Sequence, residues 1–441
     1  MKKRFIYLII VAFTASLFYD STAVAQSFTF PTADESDPAK IGWMQGFPPA
    51  ADKRMKKDDG SFYKFPQLRY TFSHFEHFAP MSTIARGNEV KVSQLKYKLD
   101  NKIDEVTFIP LGGTEPMTWK ESLAKNYADG ILIMHKGKIV YEDYFGVMND
   151  KERHVIMSCT KSLTSVVALT LAEEGKIDLN KLATEYVPEM MGTAFEGATV
   201  QQILNMTTSM IFSENYLDPN ADIWKYTIAS GTFSQPAGYD GPVGYFEYLL
   251  TLKKADYPHG ERFSYKSVNT DAIAWIVARA TGKRIDDLME EYIWSKLGME
   301  QDALIQLDVL GIPFAGGGLS AGLRDLARIG EMMRNEGKWR GKQIVPKNVI
   351  ASITEGGSKE AFNYAGYKTL PGWTYKNMWW VSHNENGAFT ARGVHGQTIY
   401  IDPAAEMVIV RLASNPIPNN PMNDHISLPA YSAVAKYLME K

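Results

Sequence analysis

The chain has 441 residues, enough for one large domain or two intertwined ones, and its apolar share of 45 % suits a substantial core. A formal net charge of -3 leaves no electrostatic footprint for nucleic acid. One cysteine excludes an internal disulfide, so the core must supply the stability; nine Trp among 12 % aromatic residues point to aromatic-lined clefts.

Lys2, Lys3 and Arg4 precede an apolar run from Phe5 to Phe18, and Ala23-Val24-Ala25 meets the small-x-small cleavage rule. Residues 1–25 therefore read as a cleavable signal peptide with Gln26 first in the mature chain, which predicts a periplasmic or secreted protein. The run is short for a membrane span, so no stable insertion is expected; an uncleaved anchor is the alternative. Residues 26–115 form a loop-rich extension, with prolines at 31, 38, 48, 49, 66 and 80 and a charge run at 52–59. His74 and His77 share a helical spacing that suits metal ligands, but Phe72, Phe75 and Phe78 interleave them and favour wall packing. Nothing nearby completes a metal site, and no metal or other cofactor is expected.

Ile131–Met134 and Ile139–Tyr141 flank His135-Lys136-Gly137-Lys138 and predict a β-hairpin. A long apolar helix then opens at Ser158 and stops at Gly175. Residues 176–340 read as mainly helical: a capping box at Thr199 and Gln202, then helices over 271–280, 285–297 and 323–336, each stopping at a glycine. Strands return over 378–382, 389–392, 397–401 and 407–412, and a last helix covers 430–439. The expectation is an α/β (α+β) fold. Residues 116–175 and 341–441 build an antiparallel sheet flanked by helices, and 176–340 form an inserted helical region.

Ser158 and Lys161 stand three apart in SCTKS, so a helix stacks them on one face, one turn apart. A serine hydroxyl needs a base, and a lysine amine in a dry setting can serve. The spacing also occurs at Ser61…Lys64, Ser93…Lys96 and Ser122…Lys125, but only Ser158 opens a long apolar helix, whose N-terminal amides suit an oxyanion. The plain alternative is that Ser158 caps a core helix and Lys161 is solvated. Cys159 beside it is read as a small packing residue, with a cysteine nucleophile as the rival. Tyr265, in FSYKSVNT, is the candidate proton shuttle; taken alone it reads better as a core tyrosine on a strand. Gly393-Val394-His395-Gly396-Gln397 opens a strand where a substrate can approach the backbone. An amide of that turn is a candidate second oxyanion donor, the Ser158 amide being the first. His395 is a structural histidine or the base of a Ser-His-Asp triad; no G-x-S-x-G elbow accompanies it.

These pieces occur in the order FPPAADKR, DGSFYKFPQLRYTFSHF, ILIMHKGKIVYEDYFG, SCTKSLTS, NMTTSM, NYLDPNAD, FSYKSVNTD, AGGGLSAGLRDLARIG and GVHGQTIYIDP, spanning roughly 45–403. The chain thereby resembles the serine β-lactamase and penicillin-binding-protein superfamily, on its class C and esterase side, near the 6-aminohexanoate-dimer hydrolase type. The resemblance implies a β-lactamase/transpeptidase-like fold and an acyl-enzyme route with Ser158 as nucleophile, Lys161 as base and Tyr265 as shuttle. It implies that Tyr216 lines the pocket, that Ser267 fills the place of the asparagine in Y-x-N, and that His395, Gly396 and Gln397 border the substrate. It also implies a small ester or amide as substrate. Three departures stand out. Val394-His395-Gly396 is read at the place of the lactamase K-T-G, so its cation is missing or depends on protonation of His395. Lys266 is an added charge that points to solvent or replaces that cation. Asn215 stands where an acid is common. The expectation is a serine esterase or amidase. The rivals are a D,D-peptidase or β-lactamase, and a non-catalytic cell-wall or peptide-binding protein. Oligomeric state is not legible.

Overall fold

The computed structural model describes residues 30–88 and 90–441; the signal-peptide reading of residues 1–25 lies outside them. Its centre is an eight-stranded sheet. The order is Thr374–Lys376, Trp379–Val381, Phe389–Gly393, Gln397–Asp402, Met407–Ala413, Ala128–His135, Lys138–Tyr144 and Lys96–Tyr97. All neighbours run antiparallel except the last pair. The hairpin forms where its residues predict it: Lys136 and Gly137 both take positive φ, the two-residue turn that matches strand twist.

Both faces of this sheet are covered, which explains the unbroken apolar run at 131–134. Ile131 and Ile133 pack with Trp119, Tyr431 and Val434, from the helices Trp119–Lys125 and Pro421–Met439. Leu132 and Met134 point the other way, into a core shared with the helices Cys159–Glu173 and Leu323–Arg334. Side chains alternate along a strand, so a strand buried on both sides reads as continuous hydrophobicity.

A second, four-stranded sheet joins Met81–Ile84, Ala303–Gln306, Leu319–Ala321 and His154–Val155. It corrects two expectations. The segment 176–340 is helical over much of its length but also holds two strands of this sheet, and its helix Leu323–Arg334 lies on the central sheet. The N-terminal extension, though rich in loops, contributes Met81–Ile84 here and Lys96–Tyr97 to the central sheet. It also builds a compact aromatic cluster: Phe62, Phe72, Phe75 and Phe78 pack with Val155 and Met157, just ahead of Ser158. Short strands without alternation leave little trace in a sequence.

Other boundaries moved by a few residues. The helix expected from Asp271 starts at Val268, and the final helix starts at Pro421 rather than 430, carrying Pro429 inside it. Proline at the first helical position costs no hydrogen bond, which makes Pro421 a natural start. Among the described residues no helix is long and apolar enough to cross a membrane.

Candidate active site

The chain enters the site along His154–Val155, held by backbone bonds from Val155 N–H to the Phe72 carbonyl and from Ile156 N–H to the Leu319 carbonyl, both 2.8 Å. Met157 then takes φ 46°, a left-handed conformation in which its β-carbon crowds the backbone. This kink turns strand into helix and leaves Ser158 at the helix start, 7 % exposed. Its side chain makes no capping bond to the helix, so the plain capping alternative does not hold.

One turn on, Lys161 is 1 % exposed, with Nζ 2.9 Å from Ser158 Oγ. The same Nζ bonds to the Gly316 carbonyl and lies 5.2 Å from the centre of the Tyr265 ring. Burial pulls its pKa down to about 8, while the carboxylates of Glu214 and Asp271 pull the other way. Tyr265 lines the same cleft as Ser158. Its ring stacks on Trp380 at 5.7 Å and meets Tyr375 edge-on at 6.0 Å. Burial raises its phenol well above the usual range, so the phenol carries its proton.

Two acids that the sequence reading passed over organise this cluster. Glu214 accepts the Ser267 hydroxyl at 2.6 Å and the Tyr216 hydroxyl at 2.7 Å, and takes the Ser267 amide as well. It stands one residue before Asn215, so the acid whose absence the sequence suggested is present next door. Asp271, read only as a helix start, accepts the Ala315 amide at 3.1 Å and the Tyr226 hydroxyl at 2.7 Å. It thereby holds the turn whose Gly316 carbonyl meets Lys161; burial raises its own pKa. Asp271 lies in the first turn of the helix Val268–Thr281 and Glu214 in a loop, and nothing in their local sequence sets either apart from other acids.

Five expected site residues therefore come together: Ser158, Lys161, Tyr265, Tyr216 and Ser267. Three do not. His395, Gly396 and Gln397 line neither cleft that opens on Ser158. The strand ends at Gly393, and the next three residues turn away, with His395 at φ 61°. His395 is 4 % exposed, with Nδ1 2.6 Å from the Asn415 carbonyl and its ring packed edge-on against Phe72 and Tyr63. Burial lowers its pKa to about 4, so it is neutral and replaces no lysine cation. Its partner is a carbonyl, not a carboxylate, and no Ser-His-Asp triad forms through it. The Gln397 amide clasps Ala413, giving Nε2–H to its carbonyl at 2.5 Å and taking its N–H at 3.0 Å. The Gly396 carbonyl takes the Arg411 guanidinium at 2.9 Å. The element that reaches Ser158 is instead Gly393-Val394, and Val394 lines both clefts.

The missing cation also has a different answer. Arg392 lines the cleft beside Tyr265, stacked over Trp380 at 5.1 Å and paired with Asp424. Lys266 is buried and bonds to the Met210 carbonyl at 2.5 Å; it faces neither solvent nor the nucleophile. Cys159 is buried in the core, its thiol pushed up to about 12 by burial, which removes it as a rival nucleophile. His74 stacks on Tyr70 at 4.2 Å, as the aromatic setting predicts. Among the described residues no cluster of three or more His, Cys, Asp or Glu is placed to hold a metal ion.

A buried serine at a strained helix start, a depressed lysine one turn on and a protonated tyrosine across a cleft, at the edge of a helix-flanked antiparallel sheet, define a serine hydrolase. The Beta-lactamase family profile matches residues 121–430. A 6-aminohexanoate-dimer hydrolase of Paenarthrobacter ureafaciens is 33 % identical over 360 residues, covering 81 % of this chain and 88 % of that protein. A solved structure from Bacillus anthracis, provisionally assigned to the same hydrolase type, superposes with a TM-score of 0.79 at 32 % identity, covering 89 % of this chain and 99 % of that one. EstCE1, a hydrolase with promiscuous acyltransferase activity, shares the fold at a TM-score of 0.55 and 16 % identity, covering 71 % and 98 %. The chain belongs to the β-lactamase family.

Proposed function

We propose that the protein cleaves esters or small amides through an acyl-enzyme formed on Ser158. The observation that carries the reading is the 2.9 Å approach of Lys161 Nζ to Ser158 Oγ in a site dry enough to depress the lysine. Neutral Lys161 takes the Ser158 proton as Oγ adds to the substrate carbonyl. The Ser158 and Val394 amides receive the oxyanion. The Tyr265 phenol gives its proton to the departing alkoxide or amine and is recharged from Lys161. The carbon–leaving-group bond breaks and the acyl group stays on Oγ. Water then adds by the same route and releases the acid. Tyr216 and Ser267, held by Glu214, border the scissile bond.

Labelling by a fluorophosphonate probe tests this. The wild-type protein is expected to label at one residue and the S158A protein not at all; labelling that survives S158A would end the proposal. The D,D-peptidase and β-lactamase readings lose support because Arg392, the one cation lining the cleft, is already matched by Asp424. The binding-protein reading loses support because the serine, lysine and tyrosine are all present and adjacent. Cleavage of a 6-aminohexanoate dimer, as in the named relatives, belongs in any substrate panel. Export through residues 1–25 is part of the same proposal. N-terminal sequencing of the protein recovered outside the cytoplasm should read from Gln26, and an intact Met1 there would refute it.

A further inference from the structure

Two clefts meet at Ser158, and they differ in charge. Tyr216 and Val394 border both. The first cleft is a narrow slot, with a cavity volume of about 70 Å³. Its walls are aromatic: Tyr63 and Phe75 from the N-terminal extension, Trp224 and Phe233 from the inserted region, and Phe314 and Tyr245 behind them. None of its lining residues is Asp, Glu, Lys, Arg or His. Its polarity comes from neutral groups. Ser230 and Thr232 hydroxyls lie 2.9 Å apart, and the Gln306 amide donates to Thr232. Two acids stand behind the wall and both are engaged: Asp271 by Tyr226 and Ala315, and Glu214 by Tyr216 and Ser267. The second cleft carries Glu214, Arg392 and Asp424, and it alone is lined by Tyr265.

The position of Tyr265 orients the substrate. A leaving group must depart on the side of the proton donor. The alcohol or amine portion therefore lies in the charged cleft, and the acyl portion turns into the aromatic one. We propose, resting on the acyl-enzyme reading above, that this hydrolase selects uncharged acyl groups, aliphatic or aromatic, and rejects acyl chains that end in an ammonium or a carboxylate. A charge brought into that cleft loses its water and meets no charged side chain on the lining, while the acids behind it are already engaged.

The test is a set of 4-nitrophenyl esters that share a leaving group and differ at the acyl end. Heptanoyl and 6-aminohexanoyl have the same length, a methyl against an ammonium; the monoester of adipic acid ends in a carboxylate. In each, the Ser158 Oγ–acyl bond forms, the bond to 4-nitrophenol breaks, and water regenerates the serine. With S158A rates subtracted, kcat/KM for heptanoyl is expected to exceed that for either charged ester by roughly 100-fold. Thr232→Asp, which places a carboxylate in the aromatic cleft, is expected to narrow the gap between heptanoyl and 6-aminohexanoyl at least about tenfold and to widen the gap to adipate. Thr227→Asp, from the same wall, serves if the first variant does not fold. Equal turnover of neutral and charged esters by a protein whose Ser158 labels would overturn this inference and leave the acyl-enzyme reading standing. A folded charge variant with unchanged ratios would overturn it too. Absence of both labelling and turnover would overturn both.

Discussion

Gly393 lies so close to the nucleophile that a β-carbon built on it would stand 3.0 Å from the Ser158 amide nitrogen and 2.6 Å from the Ile156 carbonyl oxygen. Both neighbours are backbone and cannot swing aside. The end of the strand is thereby pressed against the helix start, and a side chain at 393 must push the two apart. Gly393→Ala is expected to lower kcat by at least about 100-fold, because the two proposed oxyanion donors separate, and to lower Tm as well. Wild-type turnover in a folded G393A protein would show that this contact does not shape the site.

The second expectation concerns pH. Lys161 acts as a base only when neutral, and burial brings its pKa to about 8. Turnover should rise with pH through that region and level off above it. Glu214 is the largest influence holding the ammonium form. Removing its charge in Glu214→Gln disfavours the ammonium further and moves the rising limb to lower pH. A limb that stays in place in E214Q, or a flat profile from pH 5 to 9, would contradict the assignment.

Tyr265→Phe removes the proposed proton carrier but keeps the ring that stacks on Trp380. The expected result is a loss of about 100- to 10,000-fold in kcat with Tm nearly unchanged. Measuring both separates a chemical role from a packing one. A fall in Tm that matches the loss of activity would point to packing.

His395 offers a prediction in stability rather than turnover. Its folded pKa is lowered by burial from 6.5 to about 4. Above pH 6.5 it is neutral folded and unfolded, and contributes no pH dependence. As pH falls below 6.5 the unfolded chain takes up a proton that the native protein refuses, and stability drops until about pH 4. The loss is on the order of 3 kcal/mol for a group this buried. His395→Asn tolerates the left-handed backbone, and its unfolding curves between pH 6.5 and 4 should be flatter than those of the wild type. A variant as acid-sensitive as the parent would show that another group governs this range.

Much of this architecture was readable along the chain. The hairpin at Lys136-Gly137, the helix that opens at Ser158 and the strand sequence from 389 to 412 all carry local signals: a turn pair, a glycine stop, a two-residue period. The four-stranded sheet was not readable, because Leu319–Ala321 has only three residues and is buried throughout. The site strand ends at Gly393, one residue beyond the expected 392, but which residue of the turn after it reaches Ser158 was not legible. Gly393 and Gly396 both look like places for close approach, but only the first touches Ser158, and the left-handed turn at His395 sends the second away. Glu214, Asp271 and Arg392 have no period, cap or motif that sets them apart from other charged residues.

By itself the sequence determined the pair at 158 and 161, because one turn of helix brings such positions together whatever surrounds them. It also determined the hairpin on either side of Lys136-Gly137, because its turn chemistry is local. Only the tertiary structure decided what faces that pair. The carboxylate from 214, the carbonyl from 316, the phenol from 265 and the aromatic walls from 63 and 233 come from segments scattered along the chain. Their meeting depends on how whole sheets and helices pack, and a side chain's neighbours across such an interface leave no period in its own local sequence.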